Sequence, residues 1–157
     1  MTPAPSGIIG YKGEGTSKDN ISDEKGSYIN LSRFKADADM TLSQLNVKLA
    51  ESDAKYKLAI YSDANGNVGS LMGQTMEISK PPRDGWHSAS LVTPQTVKAG
   101  TYYWLAVWSN SKSKKATVYD DATEGTLKWT KALTYADFPT TVVLDGGSNY
   151  RYCIYGN

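Results

Sequence analysis

The sequence predicts an all-β fold, a β-sandwich or barrel of short strands in a single domain, and three observations predict it. No stretch carries apolar residues at helical spacing over the length of a helix, whereas alternation at period two recurs along the 157-residue chain. Clusters of Gly, Asn, Asp and Pro interrupt the alternating runs roughly every ten residues, the rhythm of strands joined by turns. The apolar runs are rich in β-branched and aromatic side chains, which suit a pleated, half-buried surface. The length fits one domain with a proper core. The expected division is a leader or linker over residues 1–7 and one sandwich over residues 8–157.

In chain order, residues 1–7 lack the basic-then-apolar pattern of a signal peptide, and residues 8–11 form a short first strand. Residues 12–26 are polar, contain Gly13, Gly15 and Gly26, and have no period, so a long loop is expected. In residues 27–36, Tyr28, Asn30, Ser32 and Phe34 share one face and Ile29, Leu31 and Arg33 the other. A turn at Asp37-Ala-Asp39 leads to residues 41–50, where Leu45, Val47 and Leu49 line one face. In residues 54–62, Tyr56, Leu58 and Ile60 oppose Lys57, Ala59 and Tyr61. Asp63-Ala-Asn-Gly-Asn67 is a concentrated turn signal. Residues 68–78 form a strand interrupted at Gly73, residues 80–85 break the pattern, and residues 86–91 form another strand. Further strands are expected at 115–120, 126–130, 140–144 and 148–155, with Asp145-Gly-Gly147 as the last tight turn.

The chain is organised around Thr101 to Trp108, its most apolar and aromatic run. Alternation puts Tyr103, Leu105 and Val107 on a plain core face, and Tyr102, Trp104, Ala106 and Trp108 on the other. That second face is either another buried face or a flat aromatic platform, and the functional reading turns on which.

Composition narrows the function. The net charge of +1 leaves no electrostatic footprint for nucleic acid or an anionic membrane. The one basic cluster, Lys112, Lys114 and Lys115, is expected to be a solvated hairpin tip, and no run reaches transmembrane length. The single cysteine, Cys153, excludes an internal disulfide and is expected to be a buried, inert thiol. The one histidine, His87, has no neighbouring nucleophile or orienting group of the kind a catalytic triad needs, and one His with one Cys makes a poor zinc site. No phosphate-binding or dinucleotide motif is present. Asp120-Asp121 with Glu124 is the densest acidic cluster, but adjacent strand residues point to opposite faces, away from the paired arrangement that glycoside hydrolysis requires. Asp63, Asn65 and Asn67 alternate around a Gly as in a calcium loop, but the closing Glu is missing, with Gln74 at the twelfth position. The expectation is an Asn-Gly turn and no cofactor.

Aromatic residues are the strongest functional signal, with eleven Tyr and four Trp. A flat ring stacks on the C–H face of a sugar while polar side chains take the hydroxyls at its rim. Trp104 and Trp108 are about 13 Å apart along a strand. Trp86 and Trp104 are expected in the core, because Trp is usually well buried. Trp108, beside Ser-Asn-Ser-Lys, and Trp129, flanked by Lys128, Thr130 and Lys131, are expected at the surface.

Ile60-Tyr-Ser-Asp-Ala-Asn-Gly-Asn-Val-Gly-Ser-Leu71 and Val97-Lys-Ala-Gly-Thr-Tyr-Tyr-Trp-Leu-Ala106 resemble paired motifs of jelly-roll-like β-sandwich accessory domains found in secreted enzymes, surface proteins and phage tails. Tyr135 with Phe138-Pro139 is similar to their late region, whereas Val68 stands where a Pro is usual. The resemblance implies a non-catalytic, extracellular or cell-surface module of the carbohydrate-binding kind. The resulting expectation is a monomeric module that binds polysaccharide. Trp108, Trp129, Tyr119 and Tyr102 would form the platform, and Asp120, Asp121, Asn110 and Lys131 the rim. The rival readings are a virion or cell-surface structural domain and a small glycan-active hydrolase or lyase.

Overall fold

The computed structural model describes residues 7–79, 81–121 and 125–157. Among these, sixteen strands and no helix form. The first are β1 (Ile9–Gly10), β2 (Ser17–Asn20), β3 (Ser22–Asp23), β4 (Gly26–Ser27) and β5 (Asn30–Lys35). Then come β6 (Met40–Leu49), β7 (Lys55–Ala64), β8 (Asn67–Gln74), β9 (Ile78–Ser79), β10 (Gly85–Val97) and β11 (Tyr102–Ser109). The last are β12 (Thr117–Asp121), β13 (Leu127–Thr130), β14 (Leu144–Ser148), β15 (Arg151–Tyr152) and β16 (Ile154–Gly156).

Fourteen of the strands form two seven-stranded antiparallel sheets that pack face to face, the all-β sandwich expected, and β3 pairs with β4 in a separate two-stranded sheet. One sheet runs β1-β16-β6-β12-β15, with β10 also on β6 and β2 also on β12. The other runs β14-β13-β5-β11-β7-β8, with β9 also on β7. The chain crosses repeatedly between them: β5 lies in the second sheet, β6 in the first, β7 to β9 in the second, β10 in the first, β11 in the second and β12 in the first. No helix of the described residues is long and apolar enough to cross a membrane.

Strand alternation sorts the core as expected. Leu45, Val47 and Leu49 of β6 meet Tyr56, Leu58 and Ile60 of β7 and Tyr103, Leu105 and Val107 of β11 in the main core between the sheets. The opposite parity forms a second core. Ile29, Leu31, Ala59, Tyr61, Trp104, Ala106 and Trp108 lie on the outer side of the second sheet, where Tyr135, Phe138, Val142 and Leu144 pack against them. The segment between β13 and β14 therefore runs across this sheet as a strap. Trp108 is 2% exposed and meets the rings of Tyr135 and Phe138 edge-on, each at 5.4 Å between centroids. The surface position expected of Trp108 is corrected: its sheet face is a second buried face, because the strap excludes water from it. Trp104 is buried as expected.

Four local expectations are also corrected. Residues 12–26 are not a bare loop, because β2 within them pairs with β12 from Thr117 to Asp120. Its sequence Ser-Lys-Asp-Asn has no apolar alternation to announce a strand. Asp145-Gly-Gly147 is not a turn but the middle of β14, paired with β13. Residues 140–143 are irregular. Residues 85–97 form one long strand along β6, with a register shift between Ser90 and Gln95.

Candidate functional site

The candidate site is built around Trp129. Leu127 and Trp129 point to the same side of β13: Leu127 is in the main core, and Trp129 packs against its margin, half-buried. Trp129 stands between Asn30 of β5 and Gly146 of β14. A Cβ on Gly146 would come within 2.7 Å of the indole, so glycine is what lets the ring lie against the β14 backbone. Across from it, β12 and β2 turn from apolar to polar along their inner face. Val118 is fully buried in the core, whereas Asp120, two residues on, and its cross-strand partner Ser17 are polar, as is Asp19 opposite Val118. The space between holds two clefts of about 340 and 330 Å³, each lined by Trp129 and Asp19. The first adds Asn20, Tyr28, Asn30 and Asp145. The second adds Asp120, Lys18, Ser148 and Tyr150, among others.

Hydrogen bonds fix the polar wall. The fully buried Tyr152 donates its hydroxyl to Asp19 Oδ2 at 2.5 Å, and Ser17 Oγ donates to Asp120 Oδ1. Burial raises the Asp120 carboxyl above its ordinary value, the Ser17 hydrogen bond opposes this, and the nearby Asp19 and Asp121 charges add to it. Burial beside Asp19 likewise lifts the Tyr152 phenol well above its usual range. Tyr28 donates to Asp23 Oδ2 at 2.6 Å, a bond that pushes its phenol up to about 12 and pins the ring at the cleft. The result is an aromatic surface bordered by amide, carboxyl and hydroxyl groups.

No protein-family model and no curated protein matches this chain. Solved structures do resemble it. The clostridial cysteine protease Cwp84 after propeptide cleavage overlays with a TM-score of 0.59 at 13% identity, over 90% of this chain and 37% of that one. A pectin-binding carbohydrate-binding module overlays with a TM-score of 0.38 at 16% identity, over 67% of this chain and 83% of that one. The chain thus spans little more than a third of the protease chain, and what the two share is the fold.

The other residues expected in one platform are scattered. Trp108 lies beneath the strap. Tyr102 is 38% exposed, but Arg33 stacks on its ring at 3.7 Å. Tyr119 lies on the outer face of the first sheet, between the ammonium groups of Lys48 and Lys18 at 4.9 and 5.0 Å. Asp121 is on that side too, accepting from the Tyr11 hydroxyl at 2.5 Å and the Thr16 backbone N–H at 2.7 Å. Asp120 and Asp121 therefore do point apart, as alternation required. Asn110 accepts from the Lys55 backbone N–H at 2.8 Å and lines a separate cleft with Leu133 and Tyr135. Lys131 is exposed, just past the end of β13. Glu124 lies outside the described residues.

The turn residues have structural partners. Asn65 and Gly66 both have positive φ, at 54° and 90°, as a tight hairpin turn requires. The Asp63 carboxylate is occupied by Arg33 at 2.8 and 3.0 Å, the Trp104 indole N–H at 2.9 Å and the Gly66 N–H at 3.0 Å. Asn67 contributes its backbone carbonyl to Trp104 at 3.2 Å. Among the described residues, no group of three or more His, Cys, Asp or Glu side chains is placed to hold a metal ion. His87 Nε2 sits 3.0 Å from the Arg83 carbonyl oxygen. Cys153 is buried, and burial pushes its thiol up to about 11, as an inert cysteine requires.

Sequence reasoning missed Asp19, Tyr28, Asn30, Asp145 and Tyr150 at the cleft. The available signal was the Gly-Gly opposite Trp129, which marks a close approach, though only pairing of β13 with β14 makes it legible. Trp86 was also misplaced: it is 37% exposed rather than in the core.

Proposed function

We propose that this chain is a non-catalytic, extracellular module that binds polysaccharide in the Trp129 cleft. The observation that carries the reading is a half-buried indole held flat against a glycine strand and faced across a cleft by hydrogen-bonding side chains. A pyranose ring would lie on Trp129, with its hydroxyls meeting Asn30, Asp19, Asp145 and Tyr150. The cleft walls carry carboxylates rather than a basic set, which favours neutral glycans, so retention should change little with salt. The test is affinity electrophoresis through gels of β-glucan, xylan and mannan. The parent chain should be retarded by at least one of these, and Trp129→Ala should run as in a blank gel while keeping its cooperative melt. Equal retardation of the folded variant and the parent would overturn the site. Asp19 and Asp120 place two carboxyl groups on one cleft wall, so release of new reducing ends is measured alongside. None is expected, and turnover that Asp120→Asn abolishes would contradict the non-catalytic reading.

A further inference from the structure

We infer that the outer face of the first sheet is a second, independent glycan site, and that its ligand is an acidic polysaccharide of the polyuronate class. Trp86 of β10 meets the ring of Tyr155 of β16 at 5.2 Å between centroids and an interplanar angle of 70°. The two rings lie across β6, where Trp86 faces Lys48 and Tyr155 faces Asn46. Between them the floor is polar and rigid: Asn46 is 2% exposed, accepts from Ser88 Oγ at 2.5 Å and donates to Asn157 Oδ1 at 3.0 Å. This arrangement of exposed aromatic edges over a fixed amide floor recurs nowhere in the Trp129 cleft, and it shares no residue with it.

The charge here has the opposite sign to that of the cleft. Lys12 Nζ lies 5.0 Å over the Tyr155 ring, and Lys48 Nζ lies 4.9 Å over Tyr119. Neither ammonium has a carboxylate within 4.0 Å among the described residues; Lys48 donates to the Glu14 backbone carbonyl at 2.5 Å instead. The third lysine, Lys18, is paired with Asp84 at 3.8 Å. Asp84 also accepts from the Tyr119 hydroxyl at 2.7 Å, and Asp121 is occupied by Tyr11 and Thr16, so these two carboxylates are already partnered. Two ammonium groups with no carboxylate partner among the described residues therefore share this face with the aromatic pair, Lys12 over Tyr155 and Lys48 cross-strand from Trp86. A uronate residue satisfies both features at once: its ring face stacks on Trp86 and its carboxylate pairs with Lys48 or Lys12. A neutral sugar leaves the cations unused.

The test is affinity electrophoresis of the whole chain in alginate and in polygalacturonate, each beside its methyl-esterified form, at low salt and at about 0.5 M salt, where charge pairing is screened. The acidic polymers should retard the chain, and esterification or high salt should weaken that retention at least about tenfold. Lys12→Ala with Lys48→Ala should abolish it in a chain that still melts cooperatively, and Trp129→Ala should leave it intact. Trp86→Ala should also abolish it. The inference is overturned if esterified and acidic polymers bind alike, if the double lysine variant binds as the parent does, or if neither acidic polymer is retained. Because the Trp129 variant and neutral gels report on the cleft alone, either site can fail without the other.

Discussion

At the scale of single residues, Trp104 and Trp108 show what burial costs and what it leaves undone. Both are sealed beneath the strap, but the Trp104 N–H donates to Asp63 and Asn67, whereas the Trp108 N–H is buried with no partner among the described residues. Removing a satisfied donor strands its acceptors, whereas removing an orphaned one does not. Trp104→Phe should therefore destabilise the chain by about 1–3 kcal/mol more than Trp108→Phe in urea titrations. Truncation of Trp108 to Ala should cost about 3–5 kcal/mol and leave retention of the folded fraction in neutral glycan gels unchanged. Equal stability of the two Phe variants would contradict the hydrogen-bond assignment. These residues also define the limit of the sequence. Alternation placed Trp104 and Trp108 on one face correctly, but nothing local to β11 states that residues far along the chain return to cover that face. Exposure is a tertiary property, and Trp108 looked exposed because its sequence neighbours are polar.

At the scale of elements, β13 and β14 set the geometry of the cleft. Asp145-Gly-Gly has the composition of a turn, and in isolation that inference is sound. Pairing with β13 converts it into a strand whose missing side chains make room for Trp129 and Lys128. Gly146→Ala should then tilt the indole away from β14 and weaken neutral glycan retention by about tenfold, an alanine methyl being too large for a 2.7 Å gap. Retention unchanged in a folded Gly146→Ala protein would show that ring orientation is irrelevant to binding. β6 was legible because its one apolar face imposes period two, and β5, β7 and β11, buried on both faces, because their runs are rich in apolar and aromatic side chains bounded by turn residues. β2 was not, because both of its faces are polar: one borders the cleft and the other the solvent.

At the scale of the whole molecule, two carboxylates tie stability to pH. The Arg33 guanidinium, hydrogen-bonded to Asp63, holds that carboxyl at about 2, and the Tyr11 hydroxyl does the same for Asp121. Both values are depressed in the folded state, so the stability they contribute is complete above an ordinary carboxylate pKa of about 4 and is lost as pH falls through about 2. For Asp63, whose side chain is 11% exposed, this amounts to about 2 kcal/mol. The melting temperature should fall steeply between about pH 4 and pH 2, and Asp63→Asn should lower it at neutral pH and flatten that fall. An Asp63→Asn protein with the parent's acid profile would show that the pair with Arg33 contributes nothing. The sandwich itself was legible in the sequence, since periodicity and turn chemistry agree on it. The division of its surface into an acid-walled cleft and a lysine-flanked sheet face was not, because each combines residues from strands distant in sequence.

The most direct measurement follows the four indole N–H signals by proton–nitrogen correlation while a neutral oligosaccharide retained in the gels is added. The Trp129 signal, assigned from its loss in Trp129→Phe, should shift saturably, while those of the buried Trp104 and Trp108 stay in place. Saturable shifts at other indoles with Trp129 unmoved would contradict the account.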